Sequence, residues 1–506
     1  MNSKSVFRLL FLFTVITILS FTNKTAKSWN SKWIQVNKKG ELIYIPDDKG
    51  NVLPDFSLVG YQQNKIPLPV VPVVMIISSP GENSEKTIQD AIDEVSRRTP
   101  DENGFRGAIL LKKGTYPVNG TIHINTSGII LRGEGNSTQI IAKGNIQHTL
   151  FSISGTGSVR ELPGSRTKIT DDYVPVGTHS FSVASANGFK VGDSIILYRP
   201  GTDQWIKDLK MDQIDARNGT KQWKANEYNL SYERVITQIK GNQIFIDNPI
   251  VMAMESKYGG AEVFKYSFKG RIQNCGIEDM SCSSEYETDT SENHGWEAIV
   301  YDKIENSWVR NVTARYFGYS CVTLENWARN ITVTNCNCLD AKSIITGGRR
   351  YSFCNNGQLN LFMNCHTTEG RHDYVTGARV CGPNVFYNCT AKNTHADIGP
   401  HHRWSTGTLY DNILTDGEIN VQDRGNYGSG HGWVGVTQIL WNCTVKRAAV
   451  QSPYVNGKNF CIGLKGAKAP GRFKDRPDGE WEGQNQEGLT PGSLYEAQLK
   501  ARKAVY

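Results

Sequence analysis

Six of the ten histidines in this chain of 506 residues, His366, His372, His395, His401, His402 and His431, fall within 66 consecutive positions. They stand in Gly-rich segments that also carry arginine and aromatic residues. These segments are Gly347-Gly348-Arg349-Arg350-Tyr351, Gly370-Arg371-His372-Asp373-Tyr374, Gly399-Pro400-His401-His402-Arg403-Trp404, and the run from Asp423 through Arg424, Tyr427 and His431 to Trp433. Imidazole is the side chain that exchanges a proton near neutral pH, and guanidinium offers a two-pronged donor for a carboxylate or sulfate. If an arginine neutralises a uronate carboxylate, the proton at C5 becomes more acidic. A base can then remove it while the substituent at C4 leaves. Such a β-elimination needs a charge stabiliser, a base, and an acid for the leaving oxygen.

The residue types supply a candidate for each role. Arg403, with Arg379 or Arg350, is the stabiliser, His402 or His401 the base, and His431 or Tyr374 the acid. Arg371, His372 and Arg424 extend the substrate-binding set, and Trp404, Trp433 and Tyr427 offer apolar faces to sugar rings. Plainer roles compete with each: a structural hydrogen bond for any single histidine, a pairing of Arg379 with Asp373 or Asp397, a core position for the tryptophans.

An element must bring these segments together, and a repeat supplies it. Short β-rich stretches ending in Asn recur with anchors at Asn311, Asn335, Asn364, Asn388, Asn412 and Asn442, spaced 24, 29, 24, 24 and 30, with an earlier outlier at Asn274. A period near 24 suits one coil of short strands joined by tight turns, with the extra residues as loops on one face. That is a parallel β-helix. Asn tolerates the left-handed backbone of a sharp corner, and its amide can bond to the Asn of the next coil. Counting back from the anchors, His401 and His431 each stand 11 before theirs, and Arg379, Arg403 and Trp433 each stand 9 before theirs. Equivalent positions on adjacent coils lie about 4.8 Å apart, so these residues share one wall.

Residues 87–98 place Ile88, Ala91, Ile92 and Val95 on one helical face and form a cap helix just before the first strands. Ser493-Leu494-Tyr495-Glu496 has the form of a capping box and opens a short C-terminal helix to about Val505. Between 143 and 269 the coil pattern breaks into a β-rich insertion. Its long polar loop carries Trp205, Lys207, Lys210, Arg217, Lys221 and Trp223, which could line a sugar cleft. The divisions are then 1–26 leader, 27–80 N-terminal segment, 81–142 cap helix and first coils, 143–269 insertion, 270–462 main β-helix, and 463–506 C-terminal loop and helix.

With its cap helix, the run 107–118, Thr121-Ile122-His123-Ile124, the Gly128–Gly135 stretch and the Asn-Cys coils, the chain resembles the right-handed parallel β-helix superfamily typified by pectate lyases. The tract 370–441 resembles exported bacterial polysaccharide-lyase-like proteins. The resemblance implies an all-β right-handed solenoid and carbohydrate chemistry. The calcium-binding acidic cluster of pectate lyase has no clear counterpart here, so no catalytic set carries over.

Composition agrees with a folded exported protein. The chain is 21% charged and 38% hydrophobic, which excludes disordered, collagenous and membrane-embedded classes. Lys4 and Arg8 precede an apolar run from Leu9 to Phe21 that is too short to span a bilayer, so residues 1–26 read as a signal peptide and the destination as secreted or periplasmic. The net charge of +7 falls to +4 without Lys4, Arg8 and Lys24. With no long basic run, the partner is an anionic polysaccharide or oligosaccharide rather than nucleic acid, and no transmembrane segment is expected. Eleven cysteines, several in the local context Asn-Cys, read as stacked core side chains rather than bridges or zinc ligands. No cofactor is required, although calcium could sit on Asp373, Asp397 and Asp423.

A carbohydrate lyase is the first expectation, and a dehydratase expelling water from a terminal uronate is its close variant. A glycoside hydrolase would need paired carboxylates. Asp373, Asp397 and Asp423 could serve, but basic neighbours should hold them ionised. A non-catalytic glycan binder would not need the histidine cluster.

Overall fold

The computed structural model describes residues 27–503 apart from Asn83 and Asn218; the expected leader over 1–26 and the last two residues of the expected C-terminal helix lie outside the described residues. The chain forms a right-handed parallel β-helix built on a sheet of 28 strands. Three faces recur. The first carries Ala328–Thr334, Leu361–Met363, Asn384–Tyr387, Ser405–Asp411 and Gly435–Trp441, each paired in parallel with the next. The second carries Asn337–Leu339, His366–Thr368 and Thr390–Lys392. The third carries Ser320–Leu324, Phe353–Asn355, Tyr374–Thr376, Asp397–Pro400 and Glu418–Val421.

The anchor asparagines turn the corner between the first and second faces. Asn311, Asn335, Asn364, Asn388, Asn412 and Asn442 all adopt φ between 51° and 54°, a region where Asn is far less strained than most residues. Their amides bond coil to coil: Asn335 to Asn311 at 3.2 Å, Asn388 to Asn364 at 2.7 Å and Asn442 to Asn412 at 2.7 Å. All eleven cysteines are free and buried, and Cys336, Cys389 and Cys443 lie against carbonyls of the preceding coil. Asn388→Ala is expected to destabilise the fold by about 1–2 kcal/mol, from left-handed strain and the lost amide bond. Asn388→Gly, which keeps the backbone freedom, should lose less; equal losses in chemical denaturation would show that the corner conformation is not what the position selects.

The helix Ser84–Ser96 buries Ile88, Ala91, Ile92 and Val95 against the first coils. At the other terminus Leu494–Lys503 lies along the outside of the first face, where Leu494 and Tyr495 join Trp33, Leu53 and Phe56 over Leu409, Ile439 and Trp441. Ser493 Oγ accepts the Glu496 N–H as expected, but the Glu496 carboxylate turns to Tyr387 instead of closing the box.

Two boundaries differ from the sequence reading. His148–Ser154 still pairs with the third face, so the insertion proper begins near Arg160 and ends at Ser267, as an antiparallel sheet. Within 463–491, expected as loop, Lys465–Lys468 and Glu480–Glu482 add two more coil strands. Their polar composition hid them, because strands at the end of a solenoid need bury little of their outer side.

Candidate active site

The third face is narrow. Its strands are three to five residues long, so groups flanking its two edges come within touching distance. Tyr351 and His372 enter from the leading edge; His401, His402 and Arg403 leave from the trailing edge, followed one coil on by the loop 422–434. They meet in a cleft of about 700 Å³ whose wall also includes Arg217, Arg371, Asp397, Arg424, Tyr427 and Ser429.

Four of the six clustered histidines converge here. Ring centroids lie 4.4 Å apart for His372 and His401, 4.9 Å for His401 and His431, and 5.1 Å for His402 and His431. His366 instead bonds Thr390 Oγ1, and His395 pairs with Glu369, both away from the cleft. The coil register came out close to the count. Ser405 pairs with Gly435 at the 30-residue offset counted from the anchors; Trp404 N–H donates to Trp433 O in that register, and Arg403 N–H donates to His431 O one residue off it, each at 3.0 Å.

At the centre Arg424 holds the site together. Its Nη2 donates to Asp397 Oδ2 at 2.5 Å, and its Nη1 donates at 2.9 Å to both the carbonyl and the Nδ1 of His401. Arginine stays charged, so His401 Nδ1 must carry the lone pair and Nε2 the proton. That proton faces Tyr351 Oη, 3.0 Å away. Burial first, then His372 and Arg424, push His401 far below the ordinary histidine range, which keeps it in this neutral tautomer. Burial likewise lowers His372 to about 4, with Asp397 opposing, and His431 to about 4, assisted by Arg424 and Arg403. His402 falls to about 3, through burial, His431 and Arg403. Burial raises Asp397, but Arg424 and His372 outweigh it and hold the carboxyl below its usual value.

His402 and His431 bury Nδ1 without a protein partner among the described residues, leaving Nε2 as the nitrogen each has for chemistry. A Cβ on Gly428 would stand 2.2 Å from His431 Nε2, so glycine there is what lets the ring lie in place. Asp397→Ala would strand Arg424 in a mostly buried position and is expected to destabilise the protein by about 3 kcal/mol. It should also release His401 from its tautomer. Urea denaturation read beside turnover would test both effects, and an unchanged midpoint would deny Asp397 its role as anchor.

Several expected site residues stand elsewhere. Tyr374 is fully buried inside the coil, stacked on Phe353 at 5.6 Å, and its hydroxyl donates to Cys365 O and Thr390 O. It is core, not an acid. Trp404 and Trp433 are fully buried between the coils and the insertion, Trp404 edge-on to Trp205 at 5.0 Å. They anchor the insertion rather than carry a sugar, and Trp205 and Trp223 sink into the same cluster. Arg350 is buried with Nη2 on Ser343 O and Nη1 on Glu369 O, a brace between turns. Tyr427 stays at the rim, 45% exposed, with Arg472 stacked 3.7 Å over one face. Arg371 borders the cleft with Nη1 on Gly347 O. Arg379 lies across the Arg403 side chain, in an adjoining cavity.

Tyr351 and the clamp formed by Arg424 and Asp397 are what residue spacing did not single out. Tyr351 is two residues before Phe353, which aligns with Tyr374 in the third face. Tyr351 itself lies in the turn before the strand Phe353–Asn355, so the alternation that turns Phe353 and Tyr374 into the coil does not govern it, and it lines the cleft.

No protein-family model matches the chain, and no curated protein matches it. Among solved structures it is similar to the tailspike protein gp49 from Pseudomonas phage LKA1, at 14% identity over 80% of this chain and 74% of that one, with a TM-score of 0.35. It is also similar to an alginate lyase from Paenibacillus sp. str. FPU-7, at 10% identity over 82% and 99%, TM-score 0.40. An iota-carrageenase complexed to iota-carrageenan fragments matches at 11% identity over 76% and 59%, TM-score 0.34. Scores of this size leave the chemistry to be read from the site itself.

Among the described residues, no group of three or more His, Cys, Asp or Glu is arranged to hold a metal ion, and no helix is long and apolar enough to cross a membrane. The carboxylates that hydrolysis would use are engaged. Asp373 is buried under Ser352 and Thr367, Asp423 accepts from Arg476 at 2.8 Å, and Asp397 lies on Arg424. Burial raises Asp373 to about 6 and also raises Asp423, so the expectation that basic neighbours depress all three carboxyl pKa values stands only for Asp397.

Proposed function

We propose that this protein is an exported carbohydrate-active lyase that performs β-elimination on a uronic acid residue of an anionic glycan. The observation that carries this reading is the tautomer of His401, set by Arg424, with its Nε2 proton on Tyr351 beside two neutral histidines. Because Tyr351 Oη already accepts from His401, its own O–H is free to donate. Burial raises the phenol, with Arg371 and Arg424 opposing, so at neutral pH it holds its proton and suits the acid role. Arg403, with Arg371 and Arg217 around the same cleft, is the charge stabiliser for the uronate carboxylate. His402 or His431 takes the C5 proton through Nε2. The C–H electrons form the C4–C5 double bond, the C4–O bond breaks, and Tyr351 protonates the departing oxygen. A bound carboxylate offsets the surrounding cations and lifts both histidines from their low values, so the base gains proton affinity when substrate arrives.

The test is the ultraviolet absorbance of the unsaturated uronate product, followed with a panel of uronate polysaccharides and their oligosaccharides. A rise with falling chain length marks a lyase; a rise with oligosaccharides alone and no shortening marks the dehydratase. New reducing ends without absorbance would replace elimination with hydrolysis.

A further inference from the structure

Beside the cleft lies a second cavity of about 470 Å³, bounded by Arg379 and Arg403 of the coils and by Lys221, Glu227 and Tyr228 of the insertion. Arg403 and Ser429 form the partition, since both line the two cavities. Three cations face one carboxylate here. Arg379 is exposed and has no carboxylate partner among the described residues; its guanidinium lies 5.7 Å from the centre of the Tyr228 ring. Both arginines adopt left-handed backbone, φ 57° for Arg379 and 53° for Arg403. Asn364, Asn388 and Asn412 take a similar φ at other corners of these coils, and so do Arg350, Leu359, Glu369 and Thr437.

The far wall is fixed. Lys221 N–H donates to Ser429 O at 3.1 Å and Trp223 Nε1 to Gly430 O at 3.4 Å, while Trp223 stacks on Tyr228 at 4.1 Å. The insertion is thus stitched to the loop that carries His431, and its basic edge stands at a set distance from the reacting groups.

From this geometry we infer that the second cavity binds another acidic substituent of the glycan, a sulfate ester or a second carboxylate, on the sugar next to the one that reacts. Arg403 lies between the two anions and contacts both, and the insertion sets which glycans fit. This inference rests on the glycan reading but not on elimination. A guanidinium backed by an aromatic face, with a lysine opposite, binds an oxyanion more strongly than a neutral sugar hydroxyl.

The test is isothermal calorimetry with size-defined uronate oligosaccharides in three forms: sulfated, chemically desulfated and carboxyl-reduced. Binding to the unmodified protein should be roughly tenfold tighter for one acidic form than for the form lacking that group. Arg379→Ala should erase this preference, and Arg379→Lys should keep part of it. The form whose loss matters names the substituent. Equal affinity for all three forms, a preference untouched by Arg379→Ala, or no binding by any acidic member overturns the inference. Acid-dependent binding without ultraviolet absorbance would instead remove the elimination reading and leave this site standing.

Discussion

Tyr351→Phe is expected to lower kcat by about 10²–10⁴-fold, the range for losing a general acid, with KM changed little. The ring itself should stay. It stacks on Tyr319 at 5.1 Å and packs against His372 at 4.9 Å and His401 at 5.3 Å, and phenylalanine preserves all three contacts. What disappears is the oxygen that accepts His401 Nε2–H and gives its proton to the leaving group. Leaving that N–H unpaired costs about 1–3 kcal/mol, so some loss of stability accompanies the change. A structural role alone would show up there and not in the pH profile. The catalytic role requires the alkaline limb of the kcat profile to vanish with the hydroxyl. Tyr374→Phe is the matched control: it removes a hydroxyl bonded to two core carbonyls, and it should reduce stability while turnover by the folded fraction stays near normal. If Tyr351→Phe retains kcat within threefold, the acid must be sought among the histidines.

The contrast between those two tyrosines shows which parts of the site a sequence exposes. Periodic features were legible because each coil repeats them: the Asn corners, the buried cysteines, and the near-register of His401 with His431 follow from spacing alone. Features that depend on how the insertion docks were not. Trp404 and Trp433 sit at the same depth of their coils as side chains that face the cleft, and only the arrival of Trp205, Met211 and Trp223 from a separate antiparallel sheet makes them core. Nor does spacing reveal that Asp397 takes Arg424 rather than Arg379. That pairing depends on which guanidinium is buried beside the carboxylate, and Arg424 is buried while Arg379 faces solvent.

The same burial sets the protein's response to acid. His372, His402 and His431 have native pKa values of about 4, 3 and 4, and His401 lies lower still, against an unfolded value near 6.5. Between pH 6.5 and 4 the unfolded chain therefore binds protons that the native state refuses. Stability rises with pH wherever the unfolded state is the more protonated, so the native state loses stability as pH falls through this window. Above about 6.5 the four rings are neutral in both states and their effect is flat. Buried Asp373 and Asp411, raised to about 6 and about 7, take up protons in the native state over the same window and offset part of this, so the net loss by pH 4 should be several kcal/mol rather than the full effect of four rings. Thermal melts at half-unit steps from pH 8 to 4 should show a plateau followed by a steep decline. A bound uronate oligosaccharide, by supplying negative charge among Arg403, Arg424 and the rings, should raise the histidine pKa values and move the decline to lower pH. His372→Asn should make the decline shallower, because one of the four refused protons is gone. A melting temperature that stays level from pH 7 to 5 would mean that the rings are more accessible to water and protons than their packing indicates, and the neutral tautomer of His401 would lose its support.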